Sequence, residues 1–419
     1  MNARQAERVV TFWPHLSEAS RVDPPTGVIT LRRPLAGRYS GSMATPLTNL
    51  ELRSTVHADG RLELNLVSVP LPQLGEDEVL VKITATPINP SDLGLLLGPA
   101  DPQSLTGSGT AEHPVLTGTI HPKVMPSLAA RVGVSMAVGN EGAGEVVAAG
   151  PSLRAQALLG KKVATLGHSM YAQYRAVPVD AVMVLPDGIS AADGASAFVN
   201  PLTALGMVET MRLEGHHALV HTAAASSLGQ MLVRLCLEER VPLVNVVRKP
   251  EQAVLLRKLG ATHVCDSSSP EFAAELLQAI DATGATLGFD AIGGGPLAGQ
   301  ILAAMEKSLS KKARGYSRYG SSTHKQVYIY GALDLSPTTL PRTLGMAWGV
   351  SGWLMMHFLT RIGGEAAAAL KTRVAAGLKT TFATQFAKEI SLAQVLDADT
   401  ARAYSQRATG AKYLVNPNR

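Results

Sequence analysis

The sequence predicts an α/β chain in two parts, a β-rich, barrel-like part and a doubly wound parallel sheet. Three observations carry this. Residues 194–356 alternate short buried apolar runs with helix-period segments, the pattern of a parallel sheet covered by helices. Residues 47–193 hold many short strand patterns punctuated by glycine. Between His217 and Lys249, an apolar run, a turn of small residues, a helical repeat and a second apolar run follow one another within about thirty residues, the size of one βαβ unit.

Taken in order, residues 1–46 carry Arg4, Arg8, Arg21, Arg32, Arg33 and Arg38, the Pro24-Pro25 pair and little periodicity, and are expected to form a flexible extension. Met43, after Ser40-Gly41-Ser42, offers an alternative start, and Glu7, Glu18 and Asp23 count against a transit peptide. Residues 47–193 form the first domain. Leu62 to Val69 alternates, and Glu78 to Ala85 follows a turn at Gly75. Pro87-Ile-Asn-Pro-Ser-Asp-Leu is a turn cluster directly after that strand. Residues 98–137, rich in Gly, Pro, Ser and Thr, read as a long functional loop that lines a pocket. Strands resume at Glu145 to Ala148, Lys162 to Leu166 and Tyr171 to Val177.

The second domain, 194–356, opens with a helix over Ala197 to Thr210. Ala218-Leu219-Val220 is short enough for one buried strand; Leu228, Met231, Leu232 and Leu235 fall at helical spacing; Pro242 to Val247 is the next strand. That is half of a dinucleotide fold. The turn departs from GxGxxG: only Gly229 stands at a glycine position, beside Ala223, Ala224, Ala225, Ser226 and Ser227. Small side chains still let the backbone approach a pyrophosphate at a helix N-terminus. At the end of the second strand, where an NAD site has Asp or Glu, this chain has Arg248 and Lys249, which suits the 2′-phosphate of NADP(H). Further strands are expected at His263 to Asp266, Leu287 to Ile292 and Val327 to Tyr330. A basic stretch with Lys311, Lys312, Arg314 and Arg318 lies between Lys307 and Lys325. Residues 357–419 form a return segment, ending in a strand at Lys412 to Val415, that completes the first domain.

Hydrophobic residues at 46% and charged residues at 17% over 419 residues describe a globular chain of two or three domains. A net charge of +5, with no basic–aromatic cluster, points away from nucleic acid. Gly345 to Leu359 is too short to span a bilayer and is broken by Gly345, Gly349 and Gly352, so no membrane partner is expected. Cys236 and Cys265 make neither a disulfide framework nor a four-cysteine zinc site, and a reducing cytoplasm fits them.

Three stretches resemble the zinc-free branch of the medium-chain dehydrogenase/reductase superfamily, which holds quinone oxidoreductases and mitochondrial-type 2-enoyl thioester reductases. They are Pro87 to Leu93, Val138-Gly-Asn-Glu-Gly-Ala-Gly-Glu-Val-Val, and Thr222 to Gln230 with Asn245-Val-Val-Arg. The resemblance covers roughly residues 47–419 and implies a GroES-like catalytic domain joined to a Rossmann cofactor domain. Zinc alcohol dehydrogenases have Cys where this chain has Asn89 or Pro90, and His where it has Asn140, so no metal is expected. The resemblance implies a zinc-independent, NADPH-dependent reductase of small quinones or α,β-unsaturated carbonyl compounds. Asn89 and Ser91 would stand beside the nicotinamide as catalytic residues. Thr203 would lie near the nicotinamide ribose, Ser226, Ser227 and Leu228 at the pyrophosphate, and Arg248 with Lys249 at the 2′-phosphate. Ile292, Gly293, Tyr330 and Gly331, at the carboxyl ends of later strands, complete the cofactor site. Gly345 to Trp353 resembles the edge strand through which relatives dimerise, so a homodimer is expected.

The thioester reductases carry a catalytic Tyr between the first two motifs, whereas residues 93–138 contain none. His113 and His121 are candidate proton donors in that stretch. Quinone reduction needs no dedicated acid. Two alternatives stay open: a 2-enoyl-CoA or carrier thioester reductase whose basic stretch grips phosphates, and an NADPH-binding sensor without turnover.

Overall fold

The structure, a computed structural model, describes residues 48–410 and 412–419; the extension expected over residues 1–46 lies outside them. Three large sheets organise the described residues.

The first is antiparallel and runs in the order Thr106–Gly109, Pro114–Thr119, Arg61–Pro70, Thr48–Val56, Met136–Ala137. Its buried face carries Leu52, Val56, Leu62, Leu64 and Leu116, with polar residues between them, as period-two alternation requires. Here the structure corrects one expectation. Residues 98–137 are not a bare loop: they contribute a hairpin, Thr106–Gly109 with Pro114–Thr119, and a 3₁₀ segment, Pro122–Arg131. Leu105, Leu116 and Ile120 drop into the core, and Arg131 donates to Ser54 Oγ (2.7 Å) and to the Leu95 carbonyl (2.6 Å). The hairpin escaped notice because its outer strand is exposed at every residue and has no apolar alternation. A short, polar edge of that kind resists pairing with other chains.

The second sheet centres on Glu78–Pro87, which pairs antiparallel with Glu141–Ala149, with Tyr174–Pro178 and with the closing strand Tyr413–Asn416. The return segment thus adds a strand to a sheet begun near the start of the described chain. Its helix Ala398–Ser405 packs Ala401 and Tyr404 into the same core as Leu52 and Leu62. Gly144 marks the closest contact in this sheet, since a Cβ there would lie 1.9 Å from the Lys82 carbonyl oxygen.

The third sheet is wholly parallel, in the order His263–Asp266, Leu243–Val247, Leu219–His221, Leu287–Asp290, Lys325–Ile329, Trp348–Gly352. Helices cover both faces. Val199–Leu213 and Ser227–Glu239 pack on one, burying Leu202, Leu205, Met231 and Leu235. Phe272–Thr283 and Leu297–Lys311 pack on the other, burying Leu276, Ile280, Ile301 and Met305. Strands buried on both faces are mostly apolar; all of Leu243–Val247 is buried, and its one polar side chain, Asn245, donates to the His263 carbonyl (3.3 Å). Among the described residues no helix is long and apolar enough to cross a membrane.

Candidate active site

The parallel sheet fixes one location. From Leu219–His221 the chain moves outward one way, to Leu243–Val247, and later strands build the other way from Leu287–Asp290. Such a reversal opens a crevice at the carboxyl ends of the two central strands. Thr222, directly after the first of them, donates its hydroxyl to Asp290 Oδ1 (2.7 Å) and accepts the Ala291 N–H (2.8 Å). The fully buried Asp290 also accepts the N–H groups of Ile292 (2.9 Å) and Gly293 (3.2 Å), which shapes the turn carrying both.

The turn of small residues after Leu219–His221 is closely packed. Ala223 has a positive φ of 49°, and Ser226 caps the helix Ser227–Glu239 by accepting the Gly229 N–H (3.1 Å). Gly229 has no room for a side chain: a Cβ would lie 2.1 Å from the Ala224 carbonyl oxygen. The first helical amides, those of Ser227 and Leu228, have no acceptor among the described residues, as helix geometry requires of a first turn. A close-packed cradle that ends in free N–H groups fits a pyrophosphate. Arg248 and Lys249 follow the second strand, both exposed. Among the described residues Arg248 has no acidic partner within 4 Å, whereas Lys249 Nζ stands 3.8 Å from Glu251. The residues present therefore fit a dinucleotide with a third anionic group at that strand end.

Tyr330, just past Lys325–Ile329, stacks on His221, with its hydroxyl 2.7 Å from His221 Nε2. Burial lowers the His221 imidazole to about 3 and pushes the Tyr330 phenol up, so both stay neutral. His221 Nδ1 is buried and unpaired among the described residues. Thr203 lies buried in the helix Val199–Leu213 and donates back to the Val199 carbonyl. Gly331 packs against Ala291 at the same end of the sheet.

Asn89 and Ser91 open the short helix Pro90–Leu96. Asn89 is 1% exposed; its Nδ2 donates to Glu141 Oε1 (2.8 Å) and its Oδ1 is buried without a partner among the described residues. Ser91 is exposed, and its Oγ accepts from Asn140 Nδ2 (3.2 Å). Beneath them Asp92 accepts the N–H groups of Asn89 (2.8 Å) and Asn140 (3.0 Å), and burial raises its carboxyl to about 7. Glu141 Oε2 accepts the N–H groups of Phe198 and Val199, each at 2.9 Å. Burial raises Glu141 too, opposed by Lys412 and by these donors. One carboxylate thus joins the Asn89 turn to the amino end of the helix that carries Thr203. Sequence reading missed Glu141, Thr222, His221 and Asp290, although Glu141 sits inside a quoted motif.

Other expectations shift. His113 tops the hairpin at one edge of the first sheet, whereas Met136–Ala137, which leads into Asn140, forms the opposite edge. His121 is exposed and caps the 3₁₀ segment by accepting the Lys123 N–H (3.2 Å). Tyr171 is core: it is buried and donates to the Pro87 carbonyl (3.1 Å). The basic stretch lies at the amino ends of the parallel strands, away from the crevice. Lys311 and Lys312 both reach Asp281, at the carboxyl end of the helix before Leu287–Asp290. Among the described residues no three His, Cys, Asp or Glu side chains converge as a metal site would require.

The described residues thus combine antiparallel β-rich sheets, one of them completed by Tyr413–Asn416, with a doubly wound parallel sheet that carries a turn of small residues after Leu219–His221. The Alcohol dehydrogenase GroES-like domain family matches residues 75–187. A solved Mesorhizobium loti protein, provisionally named an NADPH:quinone reductase, superposes with a TM-score of 0.68 at 24% identity, over 90% of this chain and 100% of its own. The mitochondrial enoyl-[acyl-carrier-protein] reductase of Bos taurus is 29% identical over 56% of this chain and 56% of its own length. A quinone oxidoreductase of Pseudomonas aeruginosa is 29% identical over 38% of this chain and 50% of its own. The chain thus spans about half the length of these curated relatives. Together these likenesses support a place in the medium-chain dehydrogenase/reductase superfamily, in its zinc-free branch.

Proposed function

We propose that the chain is an NADPH-dependent oxidoreductase that transfers hydride to a quinone or to a conjugated carbonyl compound. The observation that carries this reading is the crevice itself, a close-packed turn with free helix amides and, at the neighbouring strand end, an exposed arginine where an NAD site would have an acid. The names of the relatives agree with it. NADPH, when bound, supplies the hydride.

The chain's own residues bind and orient. Ser226, Ser227 and Leu228 receive the pyrophosphate, Arg248 and Lys249 the 2′-phosphate, and Thr203, Ile292, Gly293, Tyr330 and Gly331 border the nicotinamide half. The exposed Ser91 hydroxyl, whose oxygen takes a hydrogen bond from Asn140, is free to donate to a substrate oxygen on which charge develops. An electron-poor acceptor is the natural substrate class, because its own conjugated system takes up the negative charge.

The test follows NADPH oxidation in parallel with a benzoquinone and with a short 2-enoyl thioester. Quinone turnover supports the reading. Turnover of the thioester alone moves the assignment to the thioester reductases, and tight NADPH binding with silence in both assays moves it to a sensor. We read residues 47–193 with 357–419 as the catalytic domain and 194–356 as the cofactor domain. A homodimer is part of the proposal: Trp348–Gly352 pairs on one side only, and Met346, two residues before it, is 75% exposed. Sedimentation as a monomer would remove it. The cytoplasm is the compartment we assign, on the two buried free thiols.

A further inference from the structure

We propose that Glu141 is a positioning residue that sets the polarity of Asn89, so that Asn89 offers its amide oxygen to a hydrogen-bond donor on the bound ligand. This rests on reading the crevice as a hydride-transfer site.

An amide side chain can be turned either way about its last bond, and its neighbours decide. Glu141 decides here. Its Oε1 lies 2.8 Å from Asn89 Nδ2; Lys412 and the two backbone donors favour its charged form against burial, and a carboxylate oxygen would repel an amide oxygen, so the nitrogen faces Glu141. The carboxylate is itself held fast. Its Oε2 takes two backbone N–H groups, from Phe198 and Val199, at the positive end of a fifteen-residue helix. The Asn89 N–H donates to Asp92 Oδ2, so the Asn89 backbone is fixed as well.

The consequence falls on Asn89 Oδ1. It is buried and makes no hydrogen bond among the described residues; the Asp92 N–H, which faces the Asn89 side chain across the capping box, donates to the Asn89 backbone carbonyl instead (3.0 Å). Buried carbonyl oxygens are nearly always paired, so this one marks where a ligand donor belongs. The group that meets it is an N–H or O–H: the carboxamide of a nicotinamide or the hydroxyl of a reduced substrate. A substrate carbonyl oxygen, an acceptor, is disfavoured there and falls to other donors such as Ser91. Glu141 also ties the Asn89 turn to the helix bearing Thr203, so the two halves of the site share one anchor.

A double-mutant cycle tests this. Glu141→Gln puts an amide in place of the carboxylate that dictates the orientation, and Asn89→Ala removes the group oriented. Each single change should lower kcat/KM by about 10- to 100-fold, the range for a charge-assisted hydrogen bond. The double variant should fall no more than about threefold below the worse single variant, because the effects run through one amide. Losses that multiply, or full activity in Glu141→Gln, would overturn the proposal. A loss confined to KM for NADPH assigns the donor to the cofactor; a loss in the substrate's kcat/KM assigns it to the substrate. Glu141→Asp, which keeps the charge, serves if Glu141→Gln does not fold, and should retain more activity than Asn89→Ala. A readout independent of turnover is the side-chain amide of Asn89 by NMR. It should show a shifted, slowly exchanging N–H pair that Glu141→Gln returns towards free values. An unshifted, fast-exchanging pair in the wild type defeats the positioning role, whereas a shifted pair in a protein that neither binds nor oxidises NADPH defeats only the reading of the crevice.

Discussion

Removal of the Arg248 guanidinium should convert a preference for NADPH into near indifference between NADPH and NADH. Arg248 is exposed at the end of Leu243–Val247, and its N–H donates to Gln252 Oε1 (3.1 Å), with Gln252 held in turn by Thr409 (2.9 Å). The backbone is therefore anchored whatever the side chain does, so Arg248→Ala should leave the turn intact. Two unit charges about 4 Å apart interact by roughly 1 kcal/mol in water and roughly 4 kcal/mol near a protein surface. A charge-assisted hydrogen bond is worth about 1.5–3 kcal/mol net. The middle of that span corresponds to a loss of about 10- to 100-fold in NADPH affinity. NADH, without the phosphate, should change by less than about twofold, the noise of a surface substitution. Lys249 leans on Glu251, and Lys249→Ala should cost only a few-fold. Fluorescence titration with both cofactors at low and high salt reads all of this, and the preference of the unmodified protein should shrink as salt rises. Equal losses for NADPH and NADH, or none for either, would refute a 2′-phosphate site at this strand end.

Other expectations follow from the same geometry. Gly229→Ala puts a Cβ against the Ala224 carbonyl, so it should destabilise the fold by about 1–3 kcal/mol and weaken NADPH binding, read by melting temperature and titration. Lys325 and Glu306 form a buried ion pair at 2.7 Å. Lys325→Ala leaves a lone carboxylate and should cost about 3–5 kcal/mol in chemical denaturation, whereas Lys325→Met with Glu306→Leu should recover much of it. The Asp92 carboxyl sits at about 7, above its unfolded value of 3.8. The folded state then binds the extra proton, so stability declines as pH rises from about 4 through 7, with a slope of at most about 1.4 kcal/mol per pH unit for one proton. Asp92→Asn should flatten that decline in denaturation curves taken across the range. Lys311→Ala with Lys312→Ala should leave the KM for any CoA ester unchanged, because both side chains sit at the wrong end of the sheet.

Most of the fold was written in hydrophobic period. Leu219–His221 and Leu243–Val247 are short, mostly apolar runs with a helical repeat between them, the period pattern of a βαβ unit. The hairpin at Thr106–Thr119 was not legible, because its outer strand touches solvent on both sides and leaves no pattern. The site divides in the same way. Ser226, Arg248 and Asn89 occupy local contexts, a cap, a strand end and a turn, that sequence can express. Glu141 works by meeting a side chain 52 positions earlier and backbone amides 57 and 58 positions later, and nothing local announces that. His221 hid in plain sight at the end of an apolar run, where its partner, Tyr330, lies 109 positions away.

The pairing of Tyr413–Asn416 with Glu78–Pro87 orders events on the ribosome. The early strand is made long before its neighbour exists, and at bacterial or eukaryotic speeds that wait lasts roughly 15–65 seconds. During that interval the parallel sheet, whose strands are close neighbours in the chain, is free to fold, while Glu78–Pro87, already flanked by Glu141–Ala149 and Tyr174–Pro178, still lacks its partner at Thr86 and Pro87. Nascent chains stalled before residue 413 should therefore recruit chaperones and cleave first in the amino-terminal half, even with the later-made sheet already protease-resistant. A ribosome's pace, rather than any contact in the finished molecule, would then govern how much of this protein a cell recovers.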